Sequence, residues 1–179
     1  ADLRISKDDG LAAYDGLAGA NALVGDARHL YVAGGTDNAI GHFVRDEVAA
    51  SPTFGALRFD DVTRSGSDGV LGLGSVADLA LSADGAHLYA VSPTENSIAG
   101  FARNQATGRL EYRELLRNGV LGVSGMSGAR ALALSPVGSH AYVVSEFANA
   151  LVTFARDTNS GSPGFGRLSF IGVLQNGVG

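Results

Sequence analysis

The chain has 179 residues, of which 45% are apolar, a net charge of −5 and no cysteine. These values allow one domain with a sizeable core and exclude disulfide bonds and thiolate metal sites. No apolar run approaches the length of a membrane span and no basic patch is visible, so we expect neither membrane insertion nor nucleic-acid binding. The 26 glycines and four prolines suit many tight turns between short strands.

A repeat organises the chain, and its three copies cover residues 18–43, 75–101 and 128–154. Each copy predicts two short strands joined by a turn, then a polar turn and a third strand. Three residue types keep one register: a tyrosine in the second strand, an asparagine in the polar turn and a phenylalanine that ends the third strand. They are Tyr31, Asn38 and Phe43, then Tyr89, Asn96 and Phe101, then Tyr142, Asn149 and Phe154.

A fourth strand is predicted after each phenylalanine, at residues 57–59, 110–112 and 168–170. Residues 3–5 resemble such a fourth strand without the three strands that should precede it. We therefore divide the chain into an orphan strand and return (1–16) and three blades (17–68, 69–121 and 122–179). This pattern predicts a segment cut from a longer array or completed by another chain.

The predicted strands are apolar on both faces, as in Leu88–Val91 and Ala141–Val144. Continuous apolar runs indicate sheets that are covered on both sides. Four-stranded antiparallel units that stack through both faces are the blades of a β-propeller, so the predicted fold is all-β. A β-solenoid is the alternative, but its shorter turns leave the fourth strand unexplained.

The segments LALSADGAHLYAVSPTENSIAGF and LALSPVGSHAYVVSEFANALVTF resemble the bacterial YVTN-type repeat of lactonase-like propellers. The resemblance implies blade structure over nearly the whole chain. It does not imply an activity, because the shared positions are turn and core residues. Similar repeats occur in large secreted or surface-attached bacterial proteins, so we expect a secreted, periplasmic or cell-surface location.

Three histidines, His29, His87 and His140, occupy equivalent places just before the second strand of each unit. Equivalent residues on stacked sheets lie about 10 Å apart, whereas ligands of one zinc ion must lie about 2.0–2.1 Å from it. We therefore expect these histidines to face solvent, and we predict no metal site and no cofactor.

The turns between second and third strands contain one acidic residue and one asparagine each: Asp37 and Asn38, Glu95 and Asn96, Glu146 and Asn149. Such a ring of acids could bind a cation or a polyhydroxy ligand. The interpretation we favour is structural, because asparagine readily adopts left-handed backbone angles and surface acids are normally solvated.

Asp78 and Arg130 are charged residues at the start of the predicted first strands, which are the strands nearest the propeller axis. They could reach a ligand on that axis or pair with neighbouring residues. The repeated tyrosines and phenylalanines are predicted to be core residues rather than stacking platforms.

No Ser-His-Asp arrangement, phosphate-binding loop or His-x-x-x-His pair is recognisable. The first functional hypothesis is therefore a non-catalytic propeller scaffold or interaction module from a larger exported bacterial protein. The alternatives are a lactonase-like hydrolase and a carbohydrate-binding propeller with one weak site per blade. Expected partners are a second copy that completes a six-bladed ring or the remaining blades of a longer chain, and a protein or glycan ligand.

Overall fold

The computed structural model describes residues 15–177, which form three four-stranded antiparallel sheets. The predicted orphan strand at residues 3–5 lies outside the described residues. The twelve strands are β1 Ala20–Gly25, β2 His29–Gly34, β3 Ala39–Arg45, β4 Leu57–Arg64, β5 Asp78–Leu81, β6 His87–Ser92, β7 Ser97–Arg103, β8 Leu110–Arg117, β9 Ala129–Leu134, β10 His140–Ser145, β11 Ala150–Arg156 and β12 Leu168–Gln175.

Each sheet follows chain order, so β1–β4 form blade 1, β5–β8 form blade 2 and β9–β12 form blade 3. The predicted turn between the first two strands is present. In blade 2 the Gly85 amide donates to the Ser82 carbonyl at 2.8 Å, and Gly85 has a φ of +67° that glycine adopts without strain. The predicted all-β fold with three four-stranded blades is confirmed.

The blades stack side by side, because β1 contacts β5 and β5 contacts β9. The first strands therefore lie on the inner side of the stack and the fourth strands on the outer side, as in a propeller. Each blade holds an edge-to-face aromatic pair between its third and fourth strands: Phe43 with Phe59, Phe101 with Tyr112, and Phe154 with Phe170.

The core lies between the blades rather than within a single sheet. All six residues of β6 are buried because blade 2 is covered on both faces. In blade 3, by contrast, β10 alternates between buried and exposed residues. The core interpretation of the repeated aromatics is confirmed for Tyr31, Tyr89, Phe43, Phe101 and Phe154. It is wrong for Tyr142, which is 36% exposed because no described residues cover this face of blade 3.

Within residues 15–177 no helix is long and apolar enough to cross a membrane.

Candidate functional site: the axial cleft and the contacts that frame it

The turn asparagines connect neighbouring blades. Asn38, Asn96 and Asn149 all have left-handed backbone angles, with φ between +48° and +54°. The Asn38 side-chain oxygen accepts the Ser75 amide of blade 2 at 2.7 Å, and that of Asn96 accepts the Gly128 amide of blade 3 at 2.8 Å. The structural interpretation of these asparagines therefore has a physical basis, and each amide Nδ2 group remains as a donor.

The turn acids are held by short local contacts. Asp37 accepts the Ala18 amide at 2.8 Å, and Glu95 accepts the Gly74 amide at 2.8 Å. The second oxygen of Glu95 pairs with Arg117 at 2.6 Å. The Glu146 carboxylate is held less closely than the other two: it forms an ion pair of 3.6 Å with Arg130 Nε. A ligand role for these acids stays a prediction.

Asp78 and Arg130 occupy different positions of the innermost strands. Asp78 lies on β5 opposite Val91 of β6, and its carboxylate accepts the Leu79 amide at 2.9 Å and the Leu132 amide of blade 3 at 2.8 Å. The Asp78 carboxylate therefore links blade 2 to blade 3 and is not free to bind a ligand. The Arg130 side chain is mostly exposed.

Arg130 was a candidate from the sequence, but the β-bulge on which it lies was not predicted. The register of β9 shifts between Ala129 and Ala131, and that of β1 shifts between Ala20 and Ala22. Arg130 and Asn21 are thus the extra residues of two β-bulges, and Ala77 precedes β5 at the corresponding place. Bulges redirect side chains, often beside functional sites.

The three residues line one cleft of about 1200 Å³, which we name the axial cleft. Its other lining groups come from the turns between second and third strands and from the returns between blades. Arg130 is its one charged side chain among the described residues, and Phe147, 71% exposed, adds an apolar ring. The remaining lining is polar or small: Gly19, Gly35, Thr36, Asn38, Ser75, Pro93, Thr94, Asn96 and Ser127.

An arginine, a tyrosine and an aspartate lock each pair of neighbouring blades, and we name this group the clasp. Between blades 2 and 3, Arg156 donates from Nε to the Tyr89 hydroxyl at 2.8 Å and from Nη2 to Asp84 at 2.8 Å. The Tyr89 hydroxyl in turn donates to the Gly166 carbonyl. Arg103, Tyr31, Asp26 and Gly108 make the same contacts between blades 1 and 2.

Burial and charge tune the clasp. Burial raises the pKa of Tyr89 to about 12, so the hydroxyl keeps its proton. Although burial opposes it, hydrogen bonds from Ser82 and Ala86 and the Arg156 guanidinium lower the pKa of Asp84 to about 2. The clasp therefore joins an aspartate anion to a buried arginine at neutral pH. The repeated Arg45, Arg103 and Arg156, each two residues after a repeated phenylalanine, were the available sequence signal.

The expectation of solvent-facing histidines is wrong for His29 and His87, which are both buried. The loop of the next blade covers each ring, because Gly108 packs on His29 and Gly166 packs on His87. His29 Nδ1 lies 2.9 Å from Nε2 of His42, a histidine on β3. Within residues 15–177 no group of three or more His, Cys, Asp or Glu residues could hold a metal ion.

Comparison with known proteins agrees with this geometry. The sequence profile of a family described as "Lactonase, 7-bladed beta-propeller" matches residues 20–164. The structure is similar to the periplasmic gluconolactonase PpgL of Pseudomonas aeruginosa, with a TM-score of 0.64 and 25% identity, covering 86% of this chain and 39% of that protein. A search of curated protein sequences gave no significant match.

A protein from Bacteroides fragilis described as a 6-phosphogluconolactonase is similar in fold, with a TM-score of 0.69 and 20% identity over 89% of this chain and 40% of that one. A Bacteroides uniformis protein of the same description gives a TM-score of 0.67 and 16% identity over 89% and 42%. The chain thus spans about two fifths of the length of these structures.

Proposed function

Because the chain belongs to the lactonase family of seven-bladed β-propellers, we propose that its axial cleft binds and hydrolyses the lactone of a polyhydroxy acid. The observation that carries the proposal is the convergence of the bulge positions on one cleft with Arg130 as its cation. The scaffold hypothesis ranked first from the sequence, but family membership and the gluconolactonase neighbour favour the lactonase alternative.

The cleft offers the groups that such a ligand requires. Hydrolysis of a lactone develops negative charge on the ring carbonyl oxygen and ends in a carboxylate, and a guanidinium stabilises both. Arg130 supplies this group. Asn38 and Asn96 line the cleft, and in this proposal their Nδ2 amides donate to sugar hydroxyls while the Phe147 ring packs on the apolar face of the sugar.

Glu146 has a positioning role in this proposal. Its carboxylate lies 3.6 Å from Arg130 Nε, so it orients the guanidinium while leaving the other donors of Arg130 for the ligand. The described residues supply binding and charge stabilisation. The remaining residues of the site are assigned to the other blades of the family's ring.

Export is part of the same proposal. The P. aeruginosa neighbour is a periplasmic protein, and a lactonase outside the cytoplasm would act on sugar lactones formed there. Detection of the protein in periplasmic or culture fractions tests this point.

The activity test is hydrolysis of D-glucono-1,5-lactone, followed by acid release, in a ring that also contains the blades assigned the remaining site residues. We expect Arg130→Gln to lower kcat/KM by about 100-fold, as loss of one oxyanion-stabilising donor does. Arg113→Gln is the matched control, because Arg113 is half exposed on β8 and does not line the cleft. Equal activity of the Arg130 variant and the wild type would refute the site.

Binding of gluconate by calorimetry separates two outcomes if no turnover is detected. Binding that Arg130→Gln abolishes would indicate a carbohydrate-binding propeller without catalysis. Absence of both binding and turnover would favour the scaffold hypothesis.

A further inference from the structure

Another cavity lies between blades 2 and 3, and none of its lining residues belongs to the axial cleft. Its volume is about 360 Å³, within the range of about 300–1,000 Å³ that is typical of ligand sites. In blade 1 the corresponding space is filled by His42, which is buried and stacks on Tyr31 with ring centroids 5.0 Å apart. Blade 2 has Gly100 opposite its own clasp tyrosine, Tyr89, and a glycine cannot fill this space.

The Arg167 side chain lines this cavity and forms no ion pair with an acid among residues 15–177. Between blades 1 and 2 the arginine at the same place, directly after the loop glycine, is Arg109. Its Nε lies 3.8 Å from Asp60 and 3.8 Å from Asp61. Strand β8 carries Arg113 at the bulge position that Asp60 occupies in β4. The charge beside Arg167 is therefore reversed, and its guanidinium remains available as a donor.

Glu114 lines the same cavity from β8, opposite Gly100. Its Oε1 accepts the Leu168 amide of blade 3 at 2.7 Å, and no cation pairs with Oε2 among the described residues. Burial raises the pKa of Glu114, although the Leu168 hydrogen bond and the charge of Arg167 lower it in part. A partly buried carboxylate without a close cation is unfavourable, so this group is suited to a ligand that brings positive charge.

The other ionisable groups of the cavity wall are already neutralised. Arg103 is bonded to the clasp aspartate of blade 1, and Arg113 lies 3.1 Å from Glu111. Burial first, and then the charge of the clasp arginine Arg156, lower the pKa of His87, whose Nδ1 accepts a hydrogen bond from that arginine at 2.9 Å. His87 is therefore uncharged at neutral pH. The cavity thus presents one carboxylate and one guanidinium that do not pair with each other.

We propose that this cavity binds a free amino acid in its zwitterionic form. The ammonium group donates to Oε2 of Glu114, and the carboxylate accepts hydrogen bonds from the Arg167 guanidinium. Pro163 and Phe165 line the cavity from the blade 3 loop, so the amino acid has an apolar side chain. A hydroxy acid would leave Glu114 without a cation, and a simple amine would leave Arg167 without an anion. The site lies wholly between blades 2 and 3, and it does not depend on lactone hydrolysis.

The first test is calorimetric titration of the protein with L-alanine, L-leucine and L-phenylalanine, whose apolar side chains span a range of sizes. We expect at least one of them to bind. The amino acid that binds most tightly is then compared with its 2-hydroxy acid, which lacks the ammonium group, and with its decarboxylated amine. Each analogue should bind at least about tenfold more weakly, because it loses one charge-assisted hydrogen bond.

Two variants test the two charged groups separately. Glu114→Gln should weaken binding of the amino acid at least about tenfold and reduce its advantage over the hydroxy acid. Arg167→Gln should weaken binding by a similar factor and reduce the advantage over the amine. Arg109→Gln is the matched control, because Arg109 occupies the same place between blades 1 and 2. Folding of each variant is checked by circular dichroism.

Arg130→Gln distinguishes this site from the axial cleft. We expect it to leave amino-acid binding unchanged, whatever its effect on lactone hydrolysis. Amino-acid binding that Arg130→Gln abolishes would assign the ligand to the axial cleft and overturn the proposal. Failure of all three amino acids to bind, or binding that Glu114→Gln and Arg167→Gln do not weaken, would overturn it as well.

Discussion

Blades 2 and 3 carry almost the same sequence pattern but present different surfaces. The second strand of blade 2 is wholly buried, whereas that of blade 3 is exposed at Tyr142 and Val144. The difference arises from the neighbours and not from the strands, because blade 2 is covered by blades on both sides. In this repeat, burial is a property of position in the array. The clasp, the asparagine caps and the loop glycines are the contacts through which one blade covers the strands of its neighbour.

Substitution of the loop glycines should give the largest difference in stability between a covered blade and an open one. In Gly166→Ala the new Cβ would collide with the His87 ring, and the backbone φ of +82° is unfavourable for alanine. We expect the free energy of unfolding to fall by about 3 to 4 kcal/mol, measured by urea denaturation.

Gly55→Ala is the matched control for that substitution. Gly55 has the same φ of +82° but open space around it, so only the backbone strain of about 1 kcal/mol should remain. Equal losses in the two variants would mean that backbone strain alone explains the glycine and that the contact between blades contributes nothing.

The sequence predicted the elements of the fold well because the signal for them is local. The register of Tyr89, Asn96 and Phe101 against their equivalents predicts two strands and the turn between them, and all are found where expected. The environment of His87 could not be predicted in the same way. It depends on Gly166, a loop residue 79 positions away in another blade, and no periodicity within a strand encodes that contact.

The candidate site was harder still to predict. The position of Arg130 in the axial cleft depends on a β-bulge, which is visible only in the pairing of β9 with β10. Its neighbour Asp78 looked equivalent in sequence, yet it accepts two backbone amides and is not available to a ligand. Charge and chain position were readable from the sequence, but strand register and the number of hydrogen bonds were not.

The two covered interfaces should differ in their response to acid. Burial first, and then the neighbouring His29, lower the pKa of His42 from 6.5 to about 4. Blade 2 has Gly100 at the position of His42, so its interface lacks this group. The unfolded chain takes up a proton on His42 as pH falls below about 6.5, whereas the folded chain does so only near pH 4. Stability from His42 is therefore complete above pH 6.5 and is lost as pH falls through this window.

We expect His42 to account for about 2 kcal/mol of the loss in unfolding free energy between pH 7 and pH 4.5. His42→Gln, which keeps a hydrogen-bonding group beside His29, should remove that share of the loss. The clasp aspartates do not obscure this window, because the pKa of Asp84 is lowered to about 2 and its contribution is lost only at lower pH. A pH profile that His42→Gln does not alter would contradict the assignment.

The asparagine caps provide the smallest and most direct comparison of covered and open positions. Asn96 and Asn149 share a left-handed backbone, with φ of +53° and +48°, but only Asn96 has a blade to cap. Glycine preserves this backbone and removes the side chain. Asn96→Gly should therefore lower the unfolding free energy of the monomer by about 1 kcal/mol, the value of one hydrogen bond. Asn149→Gly should leave it unchanged, because the Asn149 amide oxygen has no blade to cap among the described residues. Equal destabilisation of the monomer by both variants would show that the asparagines act within their own turns, and the interpretation of them as links between blades would then be lost.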